Sequence, residues 1–131
     1  MKTIQRGDIF IRHFDTTTPP KQKFFVVMGE TETELLGYFF VNSNINKYIE
    51  RHTAFFEMQM SISPTDYSFL TYTSFIAAHK LDKLSKATLI EELNNSKATY
   101  KGKLTQEDRE RLLDAVLRSD LFSENEKKLF I

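Results

Sequence analysis

The pattern of apolar residues changes near residue 80, and this change is the strongest constraint on the fold. Upstream, short apolar and aromatic segments alternate with turn-forming residues, which is typical of strands. Downstream, leucines recur at helical spacing among Lys, Glu and Asp. At 131 residues the chain suits one domain with its own core. We therefore predict a single domain, residues 1–131, that is β-rich over 1–80 and mainly helical over 81–131.

Several segments of the first part have the length and alternation of strands. We predict strands at residues 8–14, 24–28, 35–41, 55–62 and 67–77. The run at 24–28 is apolar throughout, which fits a strand buried on both faces. Residues 55–62 alternate between apolar and polar side chains, which is typical of a half-buried antiparallel strand. Asn44 is a candidate cap for a single helical turn.

Helices of the second part are predicted from polar capping residues. One helix opens at Ser85 and stops at Asn94-Asn95, and two more follow capping-box patterns led by Thr105 and Ser123. Residues 99–102 are a candidate edge strand. Closely spaced strands followed by helices favour a mainly β plus α fold, namely a small antiparallel β-barrel with a helical cover.

Composition excludes several classes of function. The chain has no cysteine, which rules out disulfides, thiolate catalysis and zinc sites that need sulfur. Its 18 basic and 18 acidic residues balance, so it is not a strongly basic nucleic-acid coat protein, although a local basic groove remains compatible. We find no secretory apolar region and no apolar run near the roughly 20 residues of a membrane helix. A soluble, cytoplasmic protein that does not contact membranes is the expectation.

The histidines and carboxylates form no recognisable metal or catalytic motif. His13, His52 and His79 are not spaced like a metal-binding pair, and a lone histidine is more often structural than functional. The sequence contains no phosphate loop, no dinucleotide fingerprint and no nucleophile elbow. We therefore expect neither a metal nor a cofactor.

Cationic residues flank the loop at residues 15–20. If the strands on either side pair as a hairpin, these cations cluster at its mouth, where they could bind phosphate through charge-assisted hydrogen bonds. The neighbouring Phe14 and Phe24 could stack a base. The alternative is that the lysines are merely solvated and the phenylalanines belong to the core. The cationic cluster consists of Arg12, His13, Lys21 and Lys23.

The order of these segments resembles the MazF/PemK-like toxin family. Near the start, Gly7-Asp8-Ile9-Phe10 precedes the loop, and Lys21-Gln22-Lys23-Phe24-Phe25-Val26-Val27-Met28 follows it. In this second segment, Lys23 before Phe24 stands where the family has Arg before Pro. The resemblance spans most of the chain. Its other segments are Tyr38-Phe39-Phe40-Val41-Asn42-Ser43, Tyr67-Ser68-Phe69-Leu70, Thr73-Ser74-Phe75-Ile76 and Lys101-Gly102-Lys103-Leu104-Thr105.

The resemblance implies an SH3-like barrel with helices, usually a homodimer, and an antitoxin protein that covers the site. It implies cleavage of single-stranded RNA without metal, by attack of a ribose 2′-hydroxyl on the adjacent phosphate. Carried onto this sequence, Lys23 neutralises the phosphate with help from Arg12, and Ser43 contacts the scissile group. His13 is the candidate acid or base. The remaining implied substrate contacts are Asp15, which could orient His13, and Lys21, Phe14, Phe24, Asn42 and Asn44.

Two other functions remain open on the sequence alone. One is a non-catalytic binding module for RNA or protein on the same barrel. The other is an accessory or antitoxin-like interaction protein that uses the helices after Leu81. The twelve phenylalanines and five tyrosines fit a dimer interface and equally fit a core that uses Phe in place of Leu.

Overall fold

The computed structural model describes residues 3–30 and 35–130 as an antiparallel sheet packed against short helices. The strands in these residues are β1 Asp8–Phe14, β2 Lys21–Glu30, β3 Leu35–Asn42, β4 Gln59–Ile62, β5 Ser74–Ala77, β6 Asp82–Ser85 and β7 Ala98–Lys103. The helices are α1 Lys47–Glu50, α2 Thr53–Phe56, α3 Lys86–Asn94, α4 Gln106–Arg118 and α5 Glu124–Lys127, followed by a 3-10 helix at Lys128–Phe130.

The strands lie in the spatial order β4-β5-β3-β2-β1-β7, and β6 pairs with β3. β1 and β2 pair as the predicted hairpin, with Arg12 opposite Lys23. Among the described residues no pairing joins β4 to β7, so the sheet is open, which corrects the prediction of a barrel. Arg111 of helix α4 donates to the Ser61 carbonyl of β4, an outer strand of the sheet, at 3.4 Å. The mainly β plus α antiparallel class is confirmed.

Both faces of the sheet are covered, and successive residues of the central strands pack into different cores. On β1, Ile9 packs into a cluster with residues of α4 and the 3-10 helix, whereas Phe10 and Phe14 pack into a second cluster with Leu89 of α3. The predicted run at 24–28 behaves in the same way and extends further, as β2. Its burial on both faces is confirmed.

The capping residues of the second part are confirmed. The side chains of Ser85, Thr105 and Ser123 each accept a hydrogen bond from the backbone three residues later. Ser123 and Glu126 form a full capping box, which satisfies two backbone donors at the start of α5. Helix α3 also ends as predicted, with Asn95 as its C-cap.

The predicted strand at 55–62 is wrong in its first half. The His52 carbonyl accepts from the amides of Phe55 and Phe56, so residues 53–56 form the helical turn α2. The Phe55 carbonyl accepts a hydrogen bond from the Gln59 side chain at 3.0 Å. The alternation of apolar and polar side chains over so short a segment does not indicate these local hydrogen bonds. Only Gln59–Ile62 is a strand.

The predicted strand at 67–77 is confirmed only at Ser74–Ala77. Turn hydrogen bonds, including one from the Leu70 amide to the Tyr67 carbonyl, occupy the preceding residues. The Tyr67 hydroxyl points to the start of α4 and donates to Asp108 at 2.5 Å. The predicted helical cap is displaced by two residues, because Asn46 rather than Asn44 accepts from the Ile49 amide.

Gly29 of β2 permits the close approach of the 3-10 helix. A Cβ added there would lie 3.0 Å from Leu129 Cβ and 3.1 Å from the Leu129 carbonyl oxygen. Because backbone would have to move, we expect Gly29→Ala to lower the free energy of unfolding by about 1–3 kcal/mol in urea denaturation. Gly37→Ala is the matched control, since its Cβ would meet the mobile end of the Leu81 side chain. Equal losses in the two variants would contradict this account.

Candidate functional site

A groove of about 670 Å³ lies where β2 begins and β3 ends. The first residues of β2 form one side, the residues after β3 form another, and the loop before β5 forms the third. Six of the ten predicted site residues line it: Lys21, Lys23, Phe24, Asn42, Ser43 and Asn44. The other lining residues are Thr18, Gln22, Val41, Asn46, Phe69, Leu70, Thr71, Tyr72 and Ser74.

Lys23 is the half-buried cation of the groove. Its Nζ donates a hydrogen bond to the Asn42 side-chain oxygen and lies 4.6 Å from the centre of the Phe40 ring. Burial lowers the pKa of Lys23 from its usual value, and the charge of Lys21 lowers it further. A partly desolvated ammonium interacts more strongly with an anion than a fully hydrated one does, so Lys23 is suited to binding a phosphate.

Arg12 lies opposite Lys23 on the same face of the hairpin but is not among the groove-lining residues. Its guanidinium makes a bidentate ion pair with Glu92 of α3, at 2.6 and 2.8 Å. The hydrogen bond to Glu92 raises the pKa of Arg12. The guanidinium also lies 4.5 Å from the centre of the Phe14 ring. The structure therefore holds Arg12 against α3, with its charge compensated.

His13 points to the opposite face of β1 from Arg12, because successive side chains of a strand alternate. Its Nε2 lies 3.0 Å from the Asp15 carboxylate, as expected from the sequence, but both side chains are more than half exposed. Neither residue lines the groove. Within this chain the structure thus brings His13 and Asp15 together, and does not bring them to Lys23.

Aromatic side chains form one wall of the groove. Phe24 packs against Phe69 with ring centres 5.1 Å apart, and Tyr72 leaves 59% of its surface exposed. Phe14, by contrast, is buried and contacts Phe25 and Phe40 in the core. Phe69 and Tyr72 were not predicted as site residues, because residues 67–77 were interpreted as one strand. Their aromatic character was the available signal, but nothing in the sequence placed them beside β2.

The groove combines positive charge, amide and hydroxyl groups, and aromatic rings. No Asp or Glu is found among the described residues that line it. Such a surface can bind an anionic chain that also carries planar rings. Over residues 3–30 and 35–130, no three His, Asp or Glu side chains are grouped as metal ligands. The helices in that part of the protein are also too short or too polar to cross a lipid bilayer.

Comparison with known proteins adds no assignment to this geometry. The chain matches no protein-family model and no curated protein sequence.

Proposed function

We propose that this protein is a divergent MazF/PemK-like endoribonuclease that holds single-stranded RNA in the groove. The observation that carries the proposal is the lining: two lysines and three aromatic side chains, of which Tyr72 is exposed, with no carboxylate among the described residues. Backbone phosphates need the cations, and unpaired bases need exposed rings on which to stack. Bases within a duplex are already stacked, so a single strand is the better match.

The proposed reaction is metal-independent transesterification. The ribose 2′-oxygen attacks the adjacent phosphorus, the bond from phosphorus to the 5′-oxygen breaks, and the products carry a 2′,3′-cyclic phosphate and a 5′-hydroxyl. Lys23 stabilises the charge that develops on the phosphate, and Ser43 contacts the same group. The 2′-hydroxyl gives its proton to a water molecule, since no imidazole or carboxylate lies among the described groove residues, and the 5′-oxygen gains a proton. Lys23 is the groove residue suited to deliver the latter proton, because burial lowers its pKa.

A non-catalytic RNA-binding module is the second candidate. The position of His13 favours it, because no imidazole lies among the described groove residues. In addition, Lys23 already donates to Asn42, so it can stabilise the fold around the groove without taking part in chemistry. The two functions share the same ligand and differ only in whether the RNA is cut.

The proposal includes the partners that the resemblance implies. An antitoxin protein would inhibit the enzyme by covering the groove. Acidic residues of the antitoxin would favour this binding, because their charge complements that of the groove lysines. The proposal also includes a homodimer, and the twelve Phe and five Tyr residues of this chain fit a dimer interface. A monomeric mass in analytical ultracentrifugation at micromolar concentration would count against the homodimer.

The test is to incubate the purified protein with a long single-stranded RNA in EDTA and to map the ends of any products. We expect discrete fragments with 2′,3′-cyclic phosphate ends. Binding of intact RNA by folded protein would instead support the non-catalytic module. Absence of both binding and cleavage would reject RNA as the ligand.

Arg12 is expected to act mainly on stability rather than on RNA affinity. Because Glu92 already neutralises it, Arg12→Ala should weaken RNA binding by less than about threefold. The same variant leaves the Glu92 carboxylate partly buried without its partner, so the free energy of unfolding should fall by about 1–3 kcal/mol. Fluorescence anisotropy and urea denaturation measure the two effects. A loss of affinity as large as that of Lys23→Ala would show that Arg12 reaches the RNA.

A further inference from the structure

Aromatic and imidazole rings form a cluster next to the groove residues along the chain, on a segment that the proposed reaction does not use. The ring centres of Tyr48 and His52 are 4.2 Å apart, those of His52 and Phe55 are 5.6 Å apart, and those of Phe55 and His79 are 5.2 Å apart. The planes of adjacent rings are inclined by 24–42°. The ring centres of Tyr48 and Phe55 are also 6.2 Å apart, so Tyr48, His52 and Phe55 contact one another and His79 extends the cluster beyond Phe55.

Hydrogen bonds hold this cluster in place. His52 Nδ1 lies 2.7 Å from the Tyr48 carbonyl oxygen, which fixes the imidazole beneath the tyrosine ring. At the other end, Gln59 Nε2 lies 2.9 Å from His79 Nδ1 and also donates to the Phe55 carbonyl. The inner rings are therefore pre-organised, which lowers the entropic cost of stacking a further ring on them.

Tyr48 is the exposed member of the cluster. Its ring contacts His52 and Phe55, and 60% of its surface remains accessible. Its exposed ring contributes little to a hydrophobic core. A supported aromatic ring with an accessible surface is the arrangement with which proteins stack unpaired nucleobases.

The cluster follows the groove residues along the chain. Asn46 lines the groove and caps α1, and Tyr48 follows two residues later. Two trans peptide units span at most about 7.6 Å between Cα atoms. An RNA chain that leaves the groove past Asn46 therefore comes within reach of Tyr48. Resting on the proposed function, we infer that Tyr48 is a stacking platform for one unpaired base of the bound RNA, just outside the groove.

The test uses a fluorescent 2′-O-methyl RNA oligonucleotide, which cannot be cut by attack of its 2′-oxygen, and a set in which each base in turn is removed. Wild-type protein should bind one of the abasic oligonucleotides about tenfold more weakly than the intact one. The missing base in that oligonucleotide should be near one end. Tyr48→Leu, which keeps apolar bulk without an aromatic face, should bind the intact oligonucleotide about tenfold more weakly. Removal of the base at that position should not lower the affinity of Tyr48→Leu any further. Tyr48→Phe should stay within about twofold of wild type.

Tyr100→Ala is the control, because Tyr100 is an exposed tyrosine of β7, at the other edge of the sheet. It should bind RNA like wild type, and circular dichroism should show that all variants are folded. If Tyr48→Leu binds as tightly as wild type, or keeps the tenfold abasic loss, the platform is overturned while the RNA-binding function stands. If wild-type protein binds no oligonucleotide in the set, the proposed function and the platform both fail.

Discussion

Replacement of Lys23 by alanine is expected to lower the affinity for single-stranded RNA by about 10- to 100-fold and to abolish cleavage. A hydrogen bond to a charged group contributes about 1.5–3 kcal/mol, and each 1.4 kcal/mol is a factor of ten in affinity. We expect the contribution of Lys23 to the binding free energy to be at the upper end of this range, because Lys23 is half-buried between Asn42 and the Phe40 ring. Fluorescence anisotropy with an uncleavable oligonucleotide measures the affinity, and gel analysis of cleavable RNA measures the activity.

The salt dependence separates a phosphate contact from an indirect effect. Removing one phosphate contact to a single strand should reduce the slope of log affinity against log salt by about 0.7. Lys21→Ala is the matched control, since Lys21 lines the same groove but is exposed, and we expect about a threefold loss of affinity. If Lys23→Ala keeps both the affinity and the salt slope of wild type, Lys23 does not contact the RNA.

Local features of the fold were predictable because they depend on neighbouring residues. The bounds of β1, the caps at Ser85, Thr105 and Ser123, and the hairpin of β1 and β2 follow from alternation and capping chemistry within a few residues. The error at residues 53–56 has the same origin. A backbone turn closed on the His52 carbonyl leaves no mark on the pattern of apolar side chains.

The candidate site was predictable only where one hairpin forms it. Lys21, Lys23 and Phe24 are correctly placed at the start of β2, next to the residues that follow β3. The partner of Arg12 is 80 residues away in sequence, so its neutralisation by Glu92 could not be inferred from local pattern. Strand alternation separates the side chains of His13 and Lys23, but this follows only once the register of the hairpin is known. The register pairs His13 with Gln22 and Arg12 with Lys23.

The groove depends on the packing of the sheet that carries it, and Phe39 of β3 is central to that packing. Phe39 is fully buried, and its ring stacks on Phe130 with centres 5.9 Å apart and planes inclined by 3°. It also packs edge-on against Phe122, with centres 6.1 Å apart. One side chain thus connects the strand that ends in the groove to two segments after α4. The contacts of Phe39 join the two parts that differ in the sequence pattern.

Phe39→Ala is therefore expected to lower the free energy of unfolding by about 3–5 kcal/mol, since it removes buried apolar surface and leaves a cavity beside the Phe122 and Phe130 rings. For a chain of this size, that loss corresponds to a decrease in Tm of roughly 10–25 °C. Urea and thermal denaturation measure both values. Phe56→Ala is the matched control, because Phe56 is 46% exposed and its loss should cost less than about 1 kcal/mol.

A small effect of Phe39→Ala would have a specific meaning. If Phe39→Ala and Phe56→Ala lower the free energy of unfolding equally, the segments that carry Phe122 and Phe130 do not contribute to the stability of the sheet in solution. The large effect that we expect means that the helical part stabilises the strand that forms the groove. Lowered stability in Phe39→Ala should then be accompanied by weaker RNA binding as temperature rises, while Lys23→Ala should weaken binding at every temperature at which the protein is folded.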